Sequence, residues 1–444
     1  MLAKLSKFFL LLSAFSAAWG TSGTVGASIL LMLVPASFTF IFSVCDPSDG
    51  SLLSKNSLRE NPFFLPGLIL MAINLVQVLN PYARVVEYCG YQSVQFLEHA
   101  AFIPSGIVRD WDLRDSFFVL LQLAATWYVA VSAWKLFRED SNFARRFIKF
   151  FAINGALISI LGIVQEFTNA KGIYWLIPTN SGFYSTFYFK TAAGDFMFAS
   201  MMCCVSWAVS SFNRRNFIEM SFGVFCAALC FFSSCLAASS GVYAILVLSV
   251  FAFALFVLWK LVKFLKRGFV SLLLIFALFL LFSFAVFKTF EEPVMGHLKA
   301  ELDSGKSSFL PRLALAGTSL EIFKDTPVFG AGAGAYGVKA EILSPSNDYR
   351  GRYKVFINSA HNDLFEYACE YGIFAIASLL LCFVVWLKSF KRIEWSVHNS
   401  IFLWACLMFA LHSMFDLLLH IPATMFAFVF MMSLSSTNFR GRRA

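Results

Sequence analysis

Charge is what this sequence has least of. Asp, Glu, Lys and Arg together supply 14% of its 444 residues, against 59% hydrophobic and 18% aromatic residues. So little polar surface cannot cover a water-soluble globule, which excludes a soluble enzyme or binding domain. Low-complexity linkers, internal repeats and any stretch polar enough to form a separate soluble domain are also missing. Residues 1–444 therefore read as a single helical membrane domain. Cysteine is present without a useful pattern. Cys203, Cys204, Cys226, Cys230, Cys235, Cys382 and Cys406 fall in apolar segments, where a thiol behaves as a small hydrophobe. No metal spacing emerges from the cysteines, and no cofactor is expected. Cys89 sits in a polar stretch and would pair only if another thiol reached it.

What is present is a series of long apolar runs. They cover Phe8 to Trp19, Gly26 to Cys45, Phe63 to Leu79, Phe117 to Trp134, Ile148 to Val164 and Phe196 to Ser211. The second half adds Phe217 to Ala237, Val242 to Trp259, Phe269 to Phe287, Phe365 to Leu387, Ile401 to Leu417 and Leu419 to Ser433. Each approaches the length a helix needs to cross a bilayer, giving an all-α polytopic membrane protein of about twelve spans. Lys4 to Gly20 has the look of a secretory signal, but a retained first helix lets an even number of spans put both basic ends on one side.

The short basic loops fix the orientation. Arg138, Arg145 and Arg146, Arg214 and Arg215, Lys260 to Arg267, Lys388 to Arg392 and Arg440 to Arg443 share one side, which the positive-inside rule makes cytoplasmic. Both termini are then cytoplasmic. The net charge of +9 is largely this fringe, which attracts anionic membrane lipid and requires no nucleic acid. Three long connections lie on the other side: Asn80 to Ser116, Gln165 to Lys190 and, between the ninth and tenth spans, Lys288 to Ala360. Residues 288–361 form an outside loop subdomain within the membrane domain, and long loops between buried spans usually carry function.

That largest loop is organised. Arg312 follows Pro311 and opens a segment, Leu313 to Lys324, with the apolar spacing of a short amphipathic helix that Pro327 ends. Gly330, Gly332 and Gly334 then alternate with alanines. The turn either cradles a phosphate or packs closely against another element, and without the lysine and strand context of a nucleotide loop close packing is preferred. At the loop's end His361 stands at the mouth of a helix that Asn362 or Asp363 can cap. Asp363, Glu366 and Glu370 follow at spacings of three and four, sharing a face, and a carboxylate beside an imidazole fixes its tautomer and raises its basicity. The plainer alternative is an interfacial histidine beside a solvated acidic face.

Two further constellations stand out. His412, Asp416 and His420 are spaced by four, on one face of a helix, for a metal, an acceptor contact or interhelical hydrogen bonds, with the last two preferred. Arg109 to Asp115 offers paired carboxylates for a divalent ion or, more plainly, a salt-bridged helix start. Asp195, Glu219 and Glu166 complete the intramembrane ionisable set, with Lys190 near enough in sequence to pair with Asp195.

From Arg312 to Gly372 the chain resembles the bacterial O-antigen ligase and O-antigen polymerase superfamily. The pattern is carried by Arg312, Pro327, Gly330, Gly332, Gly334, His361, Asn362, Asp363, Glu370 and Gly372, and later by His412, Asp416, His420, Ile421, Pro422 and Ala423. The resemblance implies a metal-independent, inverting glycosyltransferase of the bacterial inner membrane. Such an enzyme moves a glycan from a polyprenyl diphosphate carrier, undecaprenyl diphosphate in such bacteria, to a lipid or saccharide acceptor at the periplasmic face, as in lipopolysaccharide biosynthesis. In that scheme His361 is the catalytic base and Arg312 holds the diphosphate. Many members carry a second arginine in a Ser-Arg-Gly motif, where this chain has Ser239-Ser240-Gly241. Lys190 is the first candidate to replace it, followed by Arg350 and Arg352. A repeat-unit polymerase, a protein O-oligosaccharyltransferase and, from another class, a glycolipid transporter or flippase are the alternatives. The transporter would show repeated halves, and none is seen.

Overall fold

The computed structural model describes residues 1–21, 26–46, 59–88, 91–110, 112–179, 182–237, 239–265, 309–343, 349–350, 353–354 and 358–439. The apolar runs become helices in chain order: α1 (Leu2–Trp19), α2 (Gly26–Val44), α3 (Phe64–Leu79), α4 (Ser116–Glu139), α5 (Ser141–Phe167), α6 (Lys190–Asn213), α7 (Phe217–Leu236) and α8 (Ser240–Leu265). After the large loop come α9 (Phe309–Asp325), α10 (Tyr336–Leu343), α11 (Asp363–Tyr371), α12 (Ile373–Ser389), α13 (Val397–His412) and α14 (Pro422–Ser435). Short polar side chains start several of them. Asp115, Asp140, Asn216 and Asn362 each accept a hydrogen bond from a first-turn amide, of Phe117, Phe143, Glu219 and Phe365 respectively, and so satisfy a donor the helix leaves open.

By length and composition, α1, α4, α5, α6, α7 and the segment Ile373–Arg392 suffice to cross a membrane, while α2, α3, α8, α13 and α14 are shorter apolar helices. The expected ninth span, Phe269 to Phe287, lies outside the described residues. The expected tenth span does not run unbroken from Phe365: Gly372 adopts φ +63° and divides it into α11 and α12. A Cβ at Gly372 would stand 2.3 Å from the carbonyl oxygen of Val328, so the chain can bend this tightly only without a side chain.

Phenylalanine fills the interior. Phe147 packs 4.8 Å from Phe137 and 4.7 Å from Phe430, and Phe151 packs 5.2 Å from Phe196, joining α4, α5, α6 and α14 through ring contacts. Outward-facing apolar residues such as Leu30, Leu31, Val34, Phe38 and Ile41 of α2 suit hydrocarbon surroundings.

The first long connection is not a plain loop. It forms a three-stranded sheet of β1 (Pro81–Tyr88), β2 (Tyr91–Phe96) and β3 (Gly106–Arg109) in the order β2-β1-β3, antiparallel on one side of β1 and parallel on the other. Tyr82, Val85 and Ile107 of this sheet share a small core with Ile322 of α9, Ala331 and Ala335 of the Gly-rich turn, Tyr336 of α10 and Cys369 of α11. The cap over the helices is thus built jointly by the first loop and the large loop.

α13 shows that the bundle has two chemically different ends. His398 stands near its start and His412 closes it, roughly 20 Å apart at 1.5 Å per residue. Around the His398 end gather Arg145, Arg146, Lys149 and Arg214. The His412 end holds Asp195 and leads into the segment that meets the cap.

Candidate functional site

The Gly-rich turn positions everything else. Gly330, Gly332 and Gly334 have φ of +73°, +104° and +71°, and each lies against foreign backbone: a Cβ would come within 2.2 Å of Glu370, 2.3 Å of Ser105 and 1.8 Å of Arg114 respectively. The amides of Gly330, Ala331, Gly332, Ala333 and Ala335 donate to Thr326, Cys369, Glu370, the Gln77 side chain and Gly332. These donors are spent on protein acceptors, so the turn is a packing device that bolts the loop to the end of α11, and the phosphate-cradle reading gives way. Gly334→Ala is expected to cost about 1–3 kcal/mol through overpacking at the Arg114 carbonyl, and more from the left-handed backbone. A thermal melt of the detergent-solubilised protein measures it.

On this platform α9 presents Arg312 and the α11 entry presents His361. The carboxylate between them is Asp416. Its Oδ1 lies 3.3 Å from His361 Nδ1 and its Oδ2 lies 3.6 Å from an Arg312 terminal nitrogen. A carboxylate only accepts, so Nδ1 carries the proton and the Nε2 lone pair of His361 is left for another partner. The His361 side chain is 39% exposed while that of Asp416 is 10% exposed, which leaves the imidazole reachable and its anchor covered. His361 has a left-handed φ of +49°, uncommon outside glycine, and such backbone persists where surrounding contacts fix it.

Burial alone would raise the pKa of Asp416, but the hydrogen bond from His361 and the nearby charge of Arg312 outweigh it and bring the carboxyl down to about 2. A carboxyl depressed in the folded state stabilises the protein above its unfolded pKa and loses that contribution as pH falls through the folded value. The wild-type protein is therefore expected to lose about 2 kcal/mol from this group as acid is added, and Asp416→Asn to lack that loss. Equilibrium unfolding compared at pH values above and below that window is the measurement.

Asp363, Glu366 and Glu370 do share a face of α11, as their spacing predicts, but the face meets His420 rather than His361. Asp363, fully buried, lies 2.7 Å from His420 Nδ1 and also accepts the amides of Leu418 and Leu419 at 2.8 and 2.9 Å. Glu366 and Glu370 stand 3.8 and 3.9 Å from His420 Nε2, and the Tyr367 ring stacks on the imidazole at 4.5 Å. Burial opposes charge on His420, yet its acidic neighbours raise its pKa well above the usual histidine value, while burial raises that of Glu366. Asn362 donates to the Met414 carbonyl at 2.8 Å and the Asp363 amide to that of Ser413 at 2.9 Å. These bonds staple the segment 413–421 to α11, and the staple is what sets Asp416 beside His361.

His412, Asp416 and His420 do not line one helix. α13 ends at His412, the chain turns, and the three side chains go to separate partners: Asp195, His361 with Arg312, and Asp363. Among the described residues no group of His, Cys, Asp and Glu is arranged to hold a metal ion. Asp195 is buried and accepts from His412 Nδ1 at 2.9 Å, so its partner is His412 rather than Lys190. Gly241 lies directly over that histidine: a Cβ there would meet His412 Nε2 at 2.0 Å. Lys190 is exposed at the first residue of α6, and among the described residues no ion pair joins it to Asp416 or Asp195. The Arg350 side chain and Arg352 lie outside the described residues, as does Cys89.

The first-loop carboxylates follow their plainer reading. Asp112 accepts from Arg114 at 2.9 and 3.0 Å, and Asp115 caps α4 and accepts the Arg109 amide at 2.6 Å. Glu219 answers Lys149 at 2.6 Å and Arg214 at 3.2 Å at the end of the bundle away from His361. Glu166 is exposed near the end of α5.

The family model described as O-antigen ligase matches residues 224–380. That stretch contains Ser240, Arg312, the Gly-rich turn, His361 and the α11 carboxylates, and stops short of Asp416. No curated protein matches the chain. Its apolar helices mark the chain as a multi-pass membrane protein, and over residues 224–380 it is similar to the O-antigen ligase family.

Proposed function

We propose that this protein transfers a glycan from a polyprenyl diphosphate carrier to an acceptor hydroxyl at the periplasmic face of the bacterial cytoplasmic membrane, as an O-antigen ligase with lipid A-core or a similar glycolipid as acceptor. The observation that carries the reading is the Arg312, Asp416 and His361 array, with the Nε2 of an exposed imidazole left open. His361 Nε2 takes the proton of the acceptor hydroxyl. The hydroxyl oxygen attacks the anomeric carbon, the bond from that carbon to the diphosphate breaks, and the configuration inverts. Asp416 holds the imidazole tautomer and stabilises the imidazolium that forms. The departing diphosphate carries concentrated negative charge, which Arg312 meets with parallel hydrogen bonds in a partly desolvated site. Lys190 is our candidate for the second cation, in the absence of an arginine at Ser240. Asn362, Asp363, Glu366 and Glu370 act by holding the site together. No metal ion has a role in this scheme.

The remaining assignments belong to the same reading: about twelve spans, both termini cytoplasmic, and one membrane domain containing a periplasmic subdomain at 288–361. The test is reconstitution with lipid-linked glycan and recovery of the product. Glycan joined to lipid A-core supports the ligase. Glycan lengthened on its own carrier indicates the polymerase, and glycan on a Ser or Thr side chain the protein O-oligosaccharyltransferase. Movement of the glycolipid across the bilayer with no new covalent bond overturns the enzyme assignment in favour of a transporter.

A further inference from the structure

At the other end of the bundle from His361, three helices and the C-terminal segment enclose a pocket of about 490 Å³. Its cations come from two helices. Arg145 and Arg146 of α5 each stand one turn before Lys149, and Arg214 closes α6. His398 of α13 lines a third side, with its Nδ1 2.9 Å from Ser206 Oγ. Trp207, with Lys149 Nζ 5.4 Å from its ring centroid, and Phe439 supply apolar wall.

The charges do not cancel. Glu219 answers both Lys149 and Arg214. Asp140, 3.8 Å from Arg146, is already paired with Lys7 at 2.7 Å and caps α5. Arg145 donates to the Phe439 carbonyl, a neutral acceptor. Among the described residues, four cations of the pocket therefore face two carboxylates, one of which is shared with a fifth cation. A surface fringe of basic residues spreads its charge into solvent, whereas these residues converge on a concavity with an aromatic wall.

We propose that this pocket binds a phosphate or phosphate-ester anion, as carried by the headgroup of an anionic phospholipid. Arginines at its mouth suit phosphate oxygens through two parallel hydrogen bonds, and the aromatic wall suits the start of an acyl chain. The basic end is the one that the positive-inside rule puts at the cytoplasmic leaflet, whose lipids are anionic. Binding there holds the start of α5, the end of α6, the start of α13 and the C-terminal segment in one arrangement.

The experiment uses the full chain in nanodiscs of phosphatidylcholine, with phosphatidylglycerol added in one arm and inorganic phosphate in another. Thermal unfolding is followed in each arm, and native mass spectrometry counts retained lipid. A higher melting temperature with phosphatidylglycerol alone, together with one lipid retained beyond the phosphatidylcholine control, identifies the headgroup as the source. The same rise with inorganic phosphate identifies a free-anion site. In either case the rise should at least halve in the Arg145→Gln/Arg146→Gln protein. Arg146→Gln alone, whose side chain is 70% exposed, should weaken the rise without touching the Phe439 contact. No rise in any arm, or a rise unchanged by both variants, overturns the proposal. Glycan transfer is read at the opposite end of the bundle, so either outcome leaves the transfer reading standing.

Discussion

Glycan transfer by the His361→Ala protein is expected to fall by about 10²-fold to 10⁴-fold, the range a positioned general base contributes. The loss should be in kcat with little change in KM, because in the proposed mechanism the imidazole acts on the acceptor proton in the transition state and does little to hold the donor. Arg312→Ala should also lower transfer, but in the proposed mechanism Arg312 has two employments, the leaving diphosphate and Asp416, from which it stands 3.6 Å. A donor with a better leaving group should therefore recover part of the Arg312→Ala loss and none of the His361→Ala loss. Transfer that survives both substitutions would remove His361 and Arg312 from the mechanism. Asp416→Asn keeps the shape beside His361 and removes the negative charge, so it should shift the pH profile of transfer as well as its rate. A merely structural Asp416 would leave that profile where it is.

The second large effect is on stability. Asp363→Ala is expected to cost about 3–5 kcal/mol, as removal of one partner of a buried ion pair does. The loss has three parts: His420 is left charged and half-buried without its 2.7 Å partner, and the amides of Leu418 and Leu419 lose their acceptor. Denaturation in mild detergent, read by tryptophan fluorescence, gives the number. Asp363→Asn should recover a fraction, since an amide oxygen still accepts but carries no charge. If instead both variants melt like the wild type and only the pH profile of transfer moves, then Asp363 serves His361 directly and the staple assignment fails.

The membrane class was legible because it depends on composition and run length, which survive without tertiary contacts. The start of α11 was legible for a similar reason: Asn362 caps within three residues of itself, and the i, i+3, i+7 spacing of Asp363, Glu366 and Glu370 puts them on one face wherever that face points. Where it points was not legible. His420 lies dozens of residues downstream, and the turn after His412 that brings it back breaks the apparent spacing of four. The role of Asp416 was hidden by the same turn, since a helical reading put it in line with His412 instead of across from His361. The break at Gly372 could not be read either, because it is set by the approach of the Val328 carbonyl from the far side of the Gly-rich turn. The sheet of the first loop did leave a trace. Buried Tyr82, Ala83 and Val85 around exposed Arg84, within a run rich in aromatic and β-branched residues, were a strand signal masked by the polar stretch that follows.

The position of Asp416 has a further consequence. The segment that matches the O-antigen ligase family ends at residue 380, so it holds the proposed base and one cation but not the carboxylate that joins them. The smallest piece able to do the proposed chemistry is therefore longer than the matched segment. A chimera that grafts residues 224–380 onto another helical scaffold would import His361 and Arg312 with an empty place between them, and it would need the turn after His412 to fill it.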